Sequence, residues 1–128
     1  MTFIIDDTTL TMRGRKGDSG SFVFNFDTDM DLSSCQVYFY VKKYIDDSDD
    51  DAVITKTYSQ ISNNSVTVNL TTNDTKNLEA TTENCSPYFW GIKLCNSTAN
   101  YGQTLIPKDF DFPPLLIVYP EIIGGYDD

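Results

Sequence analysis

The chain has 128 residues, of which 40% are hydrophobic, and this is enough for one domain that folds around its own core. Nineteen acidic residues against nine basic ones give a formal net charge of −10, which disfavours nucleic acids and anionic membrane surfaces as partners. The sequence contains no histidine, so neither a Ser-His-Asp nor a Cys-His catalytic arrangement can form within it.

Short stretches of alternating side chains, separated by turn residues, predict a protein built from strands. In chain order the strands are expected at residues 8–12, 20–26, 36–43, 52–58, 65–70 and 87–95, and a last one starts at 103, is interrupted by Pro107 and resumes at 115–119. Residues 71–80 predict a single helical turn between the fifth and sixth strands. This series predicts an all-β fold and suggests a sandwich or a barrel. Our prediction is an antiparallel β-sandwich of about seven strands.

The alternation also predicts which aromatic side chains leave the core. Tyr38 and Tyr40 are expected on the sheet face opposite Phe39, and Phe89 on the face opposite Trp90. Trp90 is the single tryptophan, and on a strand it is most simply the anchor of the core. Aromatic side chains on the other face either mark a contact surface or are covered by a second layer, and the sequence leaves both options open.

The C-terminal segment is rich in proline. Pro113, Pro114 and Pro120 remove backbone donors, so residues 107–128 are expected to be an extended arm or an edge strand of the same domain as the sandwich at 1–106. Such an arm is a candidate contact element. The residues predicted to contact a partner are Tyr38, Tyr40, Phe112, Leu115, Ile117 and Tyr119.

Two acidic stretches, 27–31 and 47–51, have the oxygen-rich character of calcium loops. An EF-hand loop needs Gly at its sixth position and Glu at its twelfth, whereas these stretches have Leu or Ala and then Tyr. Solvated acidic turns are therefore expected, with no metal and no cofactor. No nucleophile lies beside a base, so we predict no catalytic residues and no enzymatic activity.

Six stretches of the sequence resemble one known family. The matching residues are 16–22, 31–43, 46–51, 52–56, 66–71 and 88–94. They read Lys-Gly-Asp-Ser-Gly-Ser-Phe, Asp-Leu-Ser-Ser-Cys-Gln-Val-Tyr-Phe-Tyr-Val-Lys-Lys, an acidic turn, Ala-Val-Ile-Thr-Lys, Val-Thr-Val-Asn-Leu-Thr and Tyr-Phe-Trp-Gly-Ile-Lys-Leu. This pattern resembles the N-terminal immunoglobulin-like domain of phage and prophage upper baseplate proteins. Lys16 replaces the arginine of that pattern, and a proline-rich segment stands where such proteins usually carry a long C-terminal part.

The resemblance implies an immunoglobulin-like β-sandwich that serves as a non-enzymatic structural component of a phage or prophage tail or baseplate. Its expected location is the virion tail after synthesis in the bacterial cytoplasm, with neither a signal peptide nor a transmembrane segment. Its expected partners are other tail or baseplate proteins or further copies of itself, with no nucleic acid and no membrane. The residues leave a second class open, a stand-alone carbohydrate-binding or adhesive module in which exposed Tyr and Trp side chains stack on sugar rings.

Overall fold

The computed structural model describes residues 3–26, 32, 34–59, 61, 64–96, 101–108 and 111–121, and within these ranges the fold is nearly all β. The strands are β1 (Ile4–Ile5), β2 (Met12–Arg15), β3 (Gly20–Asn25), β4 (Gln36–Lys42), β5 (Ile54–Tyr58), β6 (Ser65–Leu70), β7 (Tyr88–Asn96), β8 (Tyr101–Ile106) and β9 (Leu115–Tyr119). A 3-10 turn spans Asp49–Asp51, and one short helix, α1, spans Thr72–Thr75. None of the helices in these ranges is long or apolar enough to cross a membrane.

The strands form a seven-stranded sheet and a two-stranded sheet that pack face to face. The order in the large sheet is β1-β2-β9-β7-β4-β5, and β8 pairs with β7 along the part of its edge that β9 leaves open. The small sheet is the antiparallel pair β3-β6. The predicted all-β sandwich is therefore confirmed, and the large sheet is mixed, because β2 and β9 run parallel.

The core lies between the two sheets and is built on aromatic rings. The ring of Phe22 on β3 meets the rings of Phe39 and Trp90 on the large sheet edge-on, with both centroid distances at 5.8 Å. Trp90 is only 1% exposed, and its Nε1–H donates to the carbonyl oxygen of Leu10 at 3.1 Å. The indole thus fills the core and also has its one polar group satisfied, which confirms the predicted role of Trp90 as the core anchor.

The helical turn expected within 71–80 forms at Thr72–Thr75 because its first residues cap one another. The Thr71 hydroxyl accepts from the backbone N–H of Asp74, and the Asp74 carboxylate accepts from the backbone N–H of Thr71 at 2.8 Å. Lys56 on β5 adds an ion pair to the same carboxylate at 2.7 Å. Burial alone would raise the pKa of Asp74, but the donors from Lys56 and Thr71 lower it below its ordinary value.

The expectation of a first strand at 8–12 is wrong. Residues 7–9 form a turn, and β2 starts only at Met12. The cause is Asp6, whose carboxylate accepts from the backbone N–H groups of Thr8 and Thr9 at 2.8 and 2.9 Å and so competes with strand pairing. Met12 is nevertheless fully buried.

The expectation of an edge strand or a free arm is wrong for Leu115–Tyr119. This strand, β9, lies inside the large sheet between β2 and β7, and its Leu116 and Val118 side chains are buried. The prolines do not disturb the pairing because they precede and follow the strand instead of interrupting it. The carbonyl oxygen of Pro114 also takes part in the pairing, because it accepts a hydrogen bond from the backbone N–H of Trp90 at 3.1 Å.

Candidate docking surface

The large sheet has one face in the core and a second face turned away from the small sheet, which we call the outer face. Its aromatic and aliphatic members, placed by the strand registers, are Ile4, Tyr38, Tyr40, Phe89, Leu115, Ile117 and Tyr119. Its charged members are Arg13, Arg15, Lys42 and Lys93. At the usual strand spacing, the six strands from β1 to β5 give the outer face a width of about 24 Å.

The structure brings five of the six predicted contact residues together on this face. Tyr38 and Tyr40 come from β4, and Leu115, Ile117 and Tyr119 come from β9. The strand β7 links the two groups, because Phe89 pairs with both Leu115 and Lys42. Phe112 is the exception, since it lies in the connection between β8 and β9 and is 85% exposed.

Tyr40 is held in a fixed position on the outer face by Gly91, its cross-strand neighbour on β7. A Cβ atom at Gly91 would overlap the phenol ring of Tyr40 and the carbonyl oxygen of Ile106, so only glycine leaves room for the ring. The ammonium of Lys42 lies 4.6 Å from the centre of the same ring. Burial raises the pKa of the Tyr40 phenol, and the negative charge of Asp49 raises it further.

All Asp and Glu side chains of the described residues lie outside the strands. None of the strands in the described ranges contains Asp or Glu, so every charged side chain that the strands place on the outer face is basic. These are four of the nine Lys and Arg residues in the whole sequence. The outer face is therefore aromatic and basic in a chain whose net charge is −10.

The basic half of this face was not predicted from the sequence. The signal for Lys93 is its spacing of four residues from Phe89, which puts both side chains on the same side of β7. The glycines around Arg13 and Arg15 are typical of a turn, although both arginines belong to β2. The turn begins instead at Lys16, and Gly17 has the positive φ of 85° that such a turn requires.

The loop between β4 and β5 spans residues 43–53, and its part from 44 to 53 is called the acidic loop here. It contains five Asp residues and three exposed hydrophobic side chains, Tyr44, Ile45 and Val53. Lys42 holds the loop in place, since its Nζ donates to the carbonyl oxygen of Asp47 at 3.0 Å and to the carboxylate of Asp49 at 2.9 Å. The hydrogen bond from Lys42 lowers the pKa of Asp49.

The carboxylates of the acidic loop serve separate partners. Asp47 accepts from the backbone N–H of Tyr44, Asp49 from Lys42, and Asp51 from the hydroxyl of Ser48. In the part of the chain that the structure describes, no three potential metal-ligating side chains come together. The other stretch with calcium-loop character, 27–31, lies outside the described residues.

A groove of about 640 Å³ lies away from the outer face, beside the end of β3 and the connection from β8 to β9. Leu10, Phe24 and Leu105 supply apolar walls, while Asn25 and Asp111 supply polar groups. The exposed ring of Phe112 also lines this groove, which explains its separation from the other predicted contact residues.

The structure therefore defines a small all-β sandwich with one aromatic and basic sheet face, an acidic loop and a side groove. Comparisons with models of known protein families, with curated proteins and with solved structures find no significant match to the chain. Any functional assignment consequently depends on the residues and on the geometry of these surfaces.

Proposed function

We propose that the protein is a non-enzymatic structural component of a phage or prophage tail or baseplate and that it docks to neighbouring subunits through the outer face. The observation that carries the docking role is the continuous set of aromatic, aliphatic and basic side chains on that face. Tyr, Phe and Arg are enriched at protein interfaces, and Tyr and Arg are frequent among the residues that dominate binding energy. The tail or baseplate role rests on the family resemblance of the sequence.

The outer face is also suited to binding because its side chains are already ordered. Tyr38, Tyr40, Phe89, Leu115 and Ile117 are half-buried on a hydrogen-bonded sheet. Little conformational entropy remains to be lost when such side chains meet a partner. A docking role thus needs no rearrangement of the fold.

Mass spectrometry of purified particles from the source strain tests the virion role. We expect peptides of this chain at a stoichiometry of several copies per particle. Their absence from intact particles with otherwise good peptide coverage would remove the structural role.

A pair of variants tests whether the outer face is the surface used. Ile117→Glu places a carboxylate in the middle of the face, and we expect it to prevent incorporation into particles while the isolated domain stays folded. Val23→Glu is the control, because Val23 is a β-branched strand residue like Ile117 but is 56% exposed on the solvent side of the small sheet. Equal incorporation of both variants would argue against docking through the outer face.

The groove favours a second candidate function, carbohydrate binding, because it combines the exposed ring of Phe112 with nearby amide and carboxylate groups. Trp90 is excluded as a stacking residue, since it is buried and bonded to Leu10. Calorimetric titration with cell-wall glycans tests this function. Binding that is lost in Phe112→Ala and kept in Tyr44→Ala, an exposed aromatic outside the groove, would support it over the docking role.

A further inference from the structure

The distribution of charge on the molecule identifies a partner for the outer face. We propose that the outer face binds the acidic loop of a second copy of this chain, so that copies associate head to tail. This inference rests on the proposed docking function and adds the identity of the partner and the geometry of the contact.

The two surfaces are complementary in charge. The strands give the outer face four basic side chains and no acidic one. Lys42 is already paired with Asp49 of its own chain, and among the described residues the structure shows no ion pair for the other three, Arg13, Arg15 and Lys93. The acidic loop carries five of the nineteen acidic residues within the six positions from 46 to 51. Asp46 and Asp50 are exposed, and the structure shows no hydrogen bond or ion pair for either carboxylate, so both are available to a basic surface.

The two surfaces also match in apolar character. Tyr44, Ile45 and Val53 are 62%, 44% and 46% exposed, which is unusual for side chains of this size in a chain that buries a full core. They flank the Asp residues in the same loop, and the aromatic and aliphatic side chains of the outer face lie between its basic groups in a similar way. Binding of the loop to the face would remove apolar surface from water on both sides.

Pairing of two outer faces is disfavoured by the same charges. Apart from Lys42, which is paired with Asp49, a two-fold contact would bring three cationic side chains against the same three of the partner, and like charges at an interface are costly. When the loop of one copy binds the face of the next, each complex still has one free face and one free loop. Association therefore continues to a closed ring or an open filament.

The size of the outer face sets the expected strength of the contact between two copies. A face about 24 Å wide and about 17 Å along the strands covers on the order of 400 Å², or about 800 Å² over both partners. This is below the usual range of stable interfaces, so each contact is expected to be weak, with a strong dependence on salt.

Analytical ultracentrifugation of the purified full chain is the first test. We expect the weight-average mass to rise with concentration from 14.5 kDa to beyond that of a dimer, and to fall back when the salt concentration is raised. A protein that stays monomeric over the whole concentration range at low salt would overturn the inference. The virion role is decided separately by the particle mass spectrometry, so the two proposals can fail independently.

Two complementary variants test the head-to-tail geometry. The face variant carries Arg13→Glu and Lys93→Glu, and the loop variant carries Asp46→Asn and Asp50→Asn, so that the altered face and the altered loop do not attract each other. We expect each variant alone to be monomeric and an equal mixture to stop at a dimer, because only one intact face and one intact loop can then meet. A loop variant that dimerises on its own, or a mixture that stays monomeric, would overturn the head-to-tail geometry.

Charge-changing controls outside both surfaces separate this contact from a general effect of charge. Lys108→Glu and Glu83→Lys change exposed residues on neither surface, and we expect both to associate as the unmodified chain does. Equal loss of association in these controls would also overturn the assignment of the two surfaces. Thermal unfolding of every variant confirms that the fold is retained.

Discussion

The position of β9 inside the large sheet can be tested with two neighbouring leucines. Leu116 is fully buried between β2 and β7, whereas Leu115 is half-buried on the outer face. Truncation of a buried leucine to alanine removes transfer energy and leaves a cavity, so Leu116→Ala is expected to cost about 3 kcal/mol. Leu115→Ala should cost less than about 1 kcal/mol, because its site is already partly in water.

Thermal and urea unfolding of the two variants measure the difference. For a domain of this length, a loss of about 3 kcal/mol corresponds to a fall in the midpoint temperature of about 11 °C. Deletion of residues 109–128 should destabilise the protein more than Leu116→Ala and leave no cooperatively folded protein, because it removes the whole of β9. Similar small effects for both leucines, or a folded truncated chain, would show that the segment is an arm and that its placement inside the sheet is wrong.

Three further predictions concern the core and the cap of the helix. Gly91→Ala should destabilise the fold by about 1–3 kcal/mol, because the added methyl group overlaps the ring of Tyr40. Tyr40→Ala in the same chain should recover part of the loss. An unchanged midpoint temperature of unfolding for Gly91→Ala would contradict this reasoning. Asp74→Ala should cost about 1 kcal/mol at pH 7 from the lost cap. The pKa of Asp74 is lowered in the folded state, so its contribution to the free energy of unfolding is complete above the unfolded pKa of about 3.9. The contribution is lost as pH falls through the folded pKa. Urea unfolding at pH 3 should therefore show a smaller difference between Asp74→Ala and the unmodified chain. Trp90 should emit at short wavelength and resist quenching by acrylamide in the native state, and exposed emission would refute its burial.

Local patterns were sufficient for the strands whose own alternation marks one buried face. The alternation of Val66, Val68 and Leu70 predicted β6 with its observed bounds, and the spacing in β4 and β7 predicted which side chains enter the core. These segments have a single buried face, so the two-residue period of their apolar side chains is enough to predict both the strand and its buried face.

Long-range pairing was not accessible in the same way. The neighbours of β9 include β2, where Met12 aligns with Leu116, and no local pattern indicates a partner so distant in the sequence. Glycine is typical of turns, yet Gly14 lies within β2, where the ring of Phe3 occupies the space that a side chain would need. Two of the four basic side chains of the outer face, Arg13 and Arg15, lie on β2, so this part of the face depends on a pairing between distant segments.

The parallel alignment of β2 and β9 has a mechanical consequence. Tension that pulls the chain before β2 and the chain after β9 in opposite directions acts along both strands, and the ladder from Met12 to Arg15 is then loaded in shear. In shear the inter-strand hydrogen bonds must break together, whereas the antiparallel β1-β2 pair can open one bond at a time. Unfolding under force is governed by the height of that barrier, so the chain should yield first at β1 and resist most strongly where β9 lies between β2 and β7.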